Sequence, residues 1–252
     1  MPRFTPFRLA AACVLAISLT LALAAGASAK GFQAELRVVG SGGKVLAEKP
    51  VATATTSVKT SPKAECFGKG SGGSGEEVTI KGNTAMGLLA RASTFVASLR
   101  PLLISDSFDF GLALCGIGKS VAKGSSSWYL KINHKSLPVG GDVATIKPGD
   151  EVLWALAKTE APDYKYPEEL VLSGPNGTAK AGVPFPVKVL SYDEKGKSKP
   201  QAGVKVTGAS EPTGADGRTM VTLSKPAKLI ATAAGEIPSA REPVCVNGKC
   251  PK

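Results

Sequence analysis

The sequence predicts a mainly β protein of two modules, and three observations carry that prediction. Residues 30–158 alternate apolar and polar side chains around a single helical repeat. Residues 169–252 read as short strands between regular turn signals, with no helical period. Four cysteines downstream of an export signal are even in number and able to pair. Together they predict an α+β module followed by a β-sandwich, both stapled by disulfides.

In the first module, Phe32, Ala34, Leu36 and Val38 alternate with polar neighbours, the period of a half-buried strand. Val51 to Val58 reads as a second strand. A glycine-rich stretch from Gly68 to Gly75 reads as a flexible loop, and Val78 to Ile80 resumes a strand. Asn83 or Thr84 caps the one helix, in which Ala85, Leu88, Leu89, Ala92, Phe95, Val96 and Leu99 recur at helical spacing until Pro101. Strands are then expected at Leu102 to Ile104, Leu112 to Ile117, Trp128 to Ile132, Val143 to Ile146 and Val152 to Leu156. Asn133-His134 and Pro148-Gly149-Asp150 are turns. The polar, proline-containing stretch 159–168 reads as a linker.

The second module, 169–252, has candidate strands at Leu170 to Leu172, Val187 to Tyr192, Val204 to Val206, Met220 to Leu223, Leu229 to Ala233 and Val244 to Val246. Gly174-Pro175-Asn176-Gly177 and Gly214-Ala215-Asp216-Gly217 are turns.

Residues 1–29 have the layout of a secretory signal. Arg3 and Arg8 precede an uncharged run from Leu9 to Ala25, and Ala27-Ser28-Ala29 is a small-x-small cleavage site. An uncleaved anchor is the alternative. Cleavage leaves 252 − 29 = 223 residues, in which no second apolar run is long enough to cross a bilayer. The reading is therefore of a secreted or envelope-associated protein.

Cys245 and Cys250 flank Val246-Asn247-Gly248-Lys249, and Asn-Gly is the preferred two-residue hairpin turn. That places the cysteines at a non-hydrogen-bonded pair, with Cα atoms about 4.5 Å apart, within disulfide reach. Cys66 and Cys115 are left to pair, closing a loop of roughly 50 residues worth about 4 kcal/mol in the chain-entropy model. Free, buried cysteines are the alternative.

Removing the signal takes two of the 31 basic residues and leaves 29 against 20 acids, a net charge of +9. The excess is spread along the chain, and only five of those bases are arginine, so no basic stripe for nucleic acid is present. Gly68, Gly70 and Gly73 match G-x-G-x-x-G, but Ser74-Gly75-Glu76-Glu77 follows them where a helix must open. Gly118-Lys119-Ser120 lacks the first glycine of a phosphate loop, because Ala113 holds that position. His134 is the only histidine and reads as a turn residue. With the cysteines cross-linked, neither a metal set nor a Cys-His nucleophile is available to it. Asp106, Asp109, Asp142 and Asp150 read as turn acids. No catalytic residue and no cofactor is expected. Trp128 reads as a buried anchor, and Tyr129, on the opposite face of its strand, as a surface contact.

Ser127-Trp128-Tyr129-Leu130-Lys131-Ile132-Asn133-His134, then Val139-Gly140, then Lys147-Pro148-Gly149-Asp150-Glu151-Val152-Leu153-Trp154, resembles the transcobalamin-like C-terminal domain family. The resemblance covers roughly residues 30–158 and implies a β-grasp-like fold, with His134 where that family has glycine. It also implies cobalamin as the cofactor to test, and Trp128, Tyr129, Asn133 and His134 as possible ligand contacts. Residues 167–247, through Ala181-Gly182-Val183-Pro184 and Thr213-Gly214-Ala215-Asp216-Gly217-Arg218, resemble bacterial immunoglobulin-like or carboxypeptidase-regulatory-like modules. The function expected is non-catalytic binding or adhesion at the cell envelope, to a ligand, an envelope polymer or a surface protein. Corrinoid or other small-ligand binding is one alternative, and an exported hydrolase or its accessory subunit is another.

Overall fold

In the computed structural model, Ala34, Leu36 and Val38 turn inward from one strand, as their alternation requires. The model describes residues 31–159, 162–175 and 177–252. The signal-like segment, Glu160 and Ala161 of the linker, and Asn176 of its turn lie outside them.

The first half contains β1 (Gln33–Val39), β2 (Val45–Ala52), β3 (Thr56–Lys59), β4 (Glu77–Ile80), α1 (Ala85–Ser93), β5 (Leu102–Phe108), β6 (Gly111–Ile117), β7 (Ser120–Val121), β8 (Ser126–Ile132), β9 (Lys135–Ser136) and β10 (Glu151–Lys158). Five of these strands form a mixed sheet in the order β2-β1-β10-β8-β9. Its central pair is parallel, with Leu36 opposite Val152 and Val38 opposite Trp154. β3 pairs with β4, and β5, β6 and β7 form a three-stranded sheet. Leu88 and Leu89 of α1 pack on one face of the mixed sheet with Leu36, Val38, Val152 and Trp154.

The other face is covered by the second half of the chain. Val39, Tyr129, Leu153, Ala155 and Ala157 pack there with Ile237. Burial on both faces explains why β10 reads as an unbroken apolar run rather than an alternation.

The second half contains β11 (Glu169–Ser173), β12 (Phe185–Tyr192), β13 (Ser198–Pro200), β14 (Lys205–Val206), β15 (Arg218–Val221), β16 (Ala227–Leu229), β17 (Ala231–Thr232) and β18 (Glu242–Val244). β12 lies between β11 and β13 and also pairs with β15, while β14–β17 and β16–β18 are separate antiparallel pairs. Leu170, Val187, Val189 and Val221 pack against Val206, Leu229, Ala231 and Val244, giving a sandwich-like core. The protein is mainly β, with a single α-helix among the described residues.

Local chemistry sets several boundaries differently from the sequence reading. The strand expected over 51–58 is two strands, and β2 begins at Val45. β2 pairs only with β1 at the sheet edge, where Pro50 needs no hydrogen-bond donor. Thr84 caps α1 by accepting from the Gly87 N–H at 3.1 Å. Gly87 itself is required, because a Cβ there would come within 1.9 Å of the Lys81 carbonyl oxygen. α1 stops at Ser93, six residues short of Leu99. The Ser93 and Thr94 hydroxyls donate to the Ala90 and Arg91 carbonyls, a local alternative to continuing the helix. Phe95 is therefore exposed under Lys49 and Arg91, and Leu99 reaches the core from a separate 3-10 turn, Ala97–Leu99.

No strand forms over 143–146. The segment instead serves the helix start, where Ala85 N–H donates to Ala144 O and Met86 N–H to Gly141 O. The glycine-rich loop is pinned rather than flexible. Gly73 N–H donates to Ser61 O, and the Ser74 N–H and hydroxyl donate to Asp106.

Both disulfides are present. Cys66 joins Cys115, and Cys245 joins Cys250 with Cα atoms 4.1 Å apart. Val246 and Lys249 bridge beneath the turn, and Asn247 and Gly248 both have positive φ, as the hairpin requires. Disulfides form and persist in oxidising compartments outside the cytoplasm. Among the described residues no helix is long and apolar enough to cross a membrane.

Candidate functional site

β8 positions most of what is chemically notable. Alternation sends Trp128 and Leu130 toward the α1 side and Tyr129 and Lys131 toward the second half of the chain. Around the Ser126 end of β8 lies a cleft of about 540 Å³, a volume ordinary for small-ligand sites. Met86 and Trp154, both buried, form its floor, and Trp128 and Tyr129 line its side. Phe67 and Phe110, each 64% exposed, stand at its rim. Phe108 stacks on Phe110 with centroids 4.8 Å apart and meets Phe67 edge-on at 5.2 Å. The Cys66–Cys115 disulfide ties the Phe67 loop to β6, so this aromatic rim has a covalent support.

One polar group beside the cleft lacks a partner. Trp128 Nε1 is buried and no described group hydrogen-bonds it, while the buried Tyr129 hydroxyl has the Ser136 side chain beside it. Burial pushes the Tyr129 phenol up to about 12. Its ring is stacked at 4.2 Å on Tyr166, whose hydroxyl lies 3.1 Å from Ser127 Oγ. Among the described residues, no Asp, Glu, Lys, Arg or His lines the cleft. The two rings thus exchange the roles expected of them. Trp128 is half-buried and faces the cleft, whereas Tyr129 is 5% exposed, because Tyr166 of the linker covers it.

Asn133 and His134 do not reach the cleft. Both have positive φ in the β8–β9 turn. Asn133 Oδ1 accepts from the Glu151 N–H and its Nδ2 donates to Asp150, so this side chain fixes the turn. His134 turns toward the second half, 4.3 Å ring to ring from Tyr192. Its Nδ1 lies 3.2 Å from Glu169 and its Nε2 lies 3.9 Å from Glu151. The lone imidazole therefore has partners that the sequence reading did not supply.

Those partners belong to a buried ionic cluster. Glu169, of β11, pairs through Oε1 with Arg37 of β1, and its Oε2 is 3.3 Å from Lys131 Nζ of β8. All three are 1–2% exposed. Arg37 Nη1 also donates to Pro238 O at 2.7 Å, and Lys131 Nζ to Tyr192 O at 3.0 Å. Burial alone would raise the Glu169 carboxyl, but His134, Arg37 and Lys131 hold it below the ordinary carboxylate value. Glu169 raises the His134 pKa against the opposing effect of burial. Burial lowers that of Lys131.

Donor atoms of His134, Glu151 and Glu169 all lie within 4.8 Å of one another, the spacing of a metal set. The chemistry is wrong for one. Arg37 and Lys131 already occupy the Glu169 oxygens, and Arg37 also lies 3.4 Å from Glu151, so an added cation would face two fixed positive charges. The cluster acts as an electrostatic tie between β1, β8 and β11.

Three of the four aspartates read as turn acids accept local hydrogen bonds. Asp106 accepts from Ser74, Asp142 from Leu112 N–H, and Asp150 from Lys147 N–H. Compared with known proteins, the chain matches no family model and no characterised sequence.

Proposed function

We propose that this chain is an extracytoplasmic, non-catalytic binding protein that takes an uncharged, partly apolar ligand in the Trp128 cleft. The observation that carries the reading is the buried, unpartnered Trp128 Nε1 beside a cleft with no charged side chain among its described lining residues. Buried polar groups are normally satisfied, and each one left unpaired costs about 1–3 kcal/mol. A ligand bearing acceptor groups would remove that cost as it bound. An ion would enter without a counter-charge and lose its hydration. The signal-like residues 1–29 and the two disulfides support export. The mixed sheet with its parallel central pair and one covering helix suits a β-grasp-like head, and the sandwich-like half suits a spacer or second contact to an envelope polymer or surface protein.

Matched amphiphiles test this reading. Octyl glucoside is expected to bind the secreted protein at least tenfold more tightly than octyl sulfate or octyltrimethylammonium, measured by calorimetry below micelle formation. Equal binding of all three, or none, counts against it. A corrinoid is a second reading and rests on the resemblance of the Trp128 to His134 segment. Spectral titration with cyanocobalamin, showing a saturable change or none, decides it.

A further inference from the structure

We propose that the ligand of the cleft is an extended, uncharged polypeptide segment that adds as a strand to the free edge of β8 at Trp128. The inference rests on the binding reading above and names its ligand class.

The hydrogen-bond pattern of β8 leads to it. Asn133 N–H donates to Glu151 O at 2.9 Å, and Thr159 N–H donates to Ser125 O at 3.0 Å, at the two ends of the β8–β10 ladder. Antiparallel ladders alternate, so the odd-numbered residues between these ends exchange their bonds with β10 and the even-numbered residues point the other way. On that other side β9 pairs only with Lys131 and Ile132. Ser126 N–H is bonded to Lys123 O in the preceding turn. Trp128, paired with Leu156 of β10, thus directs its N–H and C=O away from β10, and among the described residues no strand pairs with them. The same residue lines the cleft and carries the unpartnered indole N–H.

A free strand edge is a template for another extended backbone, and natural folds usually cover or charge such an edge. A donor and an acceptor on one residue match the donor and acceptor that each residue of an incoming strand presents. Leu112, Ala113 and Leu114 of β6 line the far wall and offer apolar contact. An added strand would sit about 4.8 Å from β8. Charge decides the composition. With no ionisable side chain among the described lining residues other than two phenols, the segment that fits carries no Asp, Glu, Lys or Arg.

The test uses the secreted protein with a pool of terminally blocked hexapeptides randomised over Ala, Val, Leu, Phe, Ser and Thr. Two control pools are N-methylated at alternate residues, one in each phase, and maltohexaose and cyanocobalamin are the non-peptide probes. The unmethylated pool is expected to shift tryptophan emission saturably and to slow hydrogen exchange at the Trp128 amide at least tenfold. At least one methylated pool is expected to bind at least tenfold more weakly. Undiminished binding of both methylated pools overturns strand addition. Binding of maltohexaose or cyanocobalamin but of no peptide overturns the peptide assignment and leaves the binding reading intact. Silence with every probe counts against both.

Discussion

Glu169 and Arg37 form a fully buried ion pair between residues 132 positions apart in the chain, joining β11 to β1. Lys131 and His134 reach the same carboxylate from β8 and its turn, so one acid in the second half of the chain answers three basic groups in the first. Removing one member of such a group leaves charge buried without compensation. We expect Glu169→Gln to destabilise the protein by about 3–5 kcal/mol in urea unfolding. Glu151→Gln removes a carboxylate that is one-third exposed and should cost less than about 1 kcal/mol. Equal losses would mean that Glu169 is not the central charge.

The cluster also sets a pH window. His134 is raised above its ordinary 6.5, so its contribution is fully present below about that pH and is lost as pH rises through the folded value. Glu169 is lowered from 4.5, so its contribution is present above that pH and is lost as pH falls through the folded value. Glu169, Glu151, Arg37 and the Tyr192 ring face the imidazole, Lys131 reaches the same Glu169 carboxylate, and the two carboxylates set the sign. The tie is therefore strongest between roughly 4.5 and 6.5, the ordinary values of the two groups. His134→Asn should flatten the alkaline decline in stability, because asparagine tolerates the positive φ of that turn. Thermal melts of both proteins from pH 4 to pH 9 check this, and parallel curves would refute it.

The cleft separates stability from binding. Trp128→Phe removes an indole N–H that no described group partners, and Tyr129→Phe removes a buried hydroxyl beside Ser136. The first should leave unfolding free energy unchanged within about 0.5 kcal/mol or raise it, and the second should cost no more than about 1 kcal/mol. Each should weaken an acceptor-bearing ligand about tenfold, the worth of one hydrogen bond made in a dry site. Denaturation and calorimetry on the two variants supply the comparison. Loss of stability without loss of affinity would mean that both groups are merely structural.

The two disulfides should differ in consequence. Reducing Cys66–Cys115 opens a loop of 49 residues and should cost roughly 4 kcal/mol, against roughly 2 kcal/mol for the five-residue Cys245–Cys250 loop. Only the first should also weaken ligand binding, since it holds Phe67 at the rim of the cleft. Paired Cys→Ser variants measured by melting and by titration distinguish the two effects.

Local signals made much of this legible before the fold was known. The Asn-Gly hairpin placed Cys245 opposite Cys250, Asn83 or Thr84 announced the start of the helix that Thr84 caps, and alternation in β8 placed Trp128 and Tyr129 on opposite faces. What failed was long-range. Nothing near His134 indicated Glu169, because the pair exists only once β11 packs behind β8. Tyr129 looked exposed because the Tyr166 ring that covers it lies 37 residues later in the sequence. The end of α1 was missed because apolar period continued through Phe95 and Val96, while serine and threonine hydroxyls diverted the backbone. The cleft had half a signal in Trp128. Its rim of Phe67 and Phe110, with Phe108 behind them, comes from segments that the Cys66–Cys115 link and the Ser74–Asp106 hydrogen bonds bring together.

Trp128 and Trp154 are the only tryptophans, and Trp154 is buried with its Nε1 directed at the Ala85 carbonyl. Trp154→Phe therefore leaves Trp128 as the sole indole reporter at the cleft. Titrating that variant with octyl glucoside should give a saturable blue shift whose midpoint equals the affinity measured calorimetrically on the same variant. Calorimetric binding with an unmoved Trp128 spectrum would place the ligand elsewhere and contradict the account.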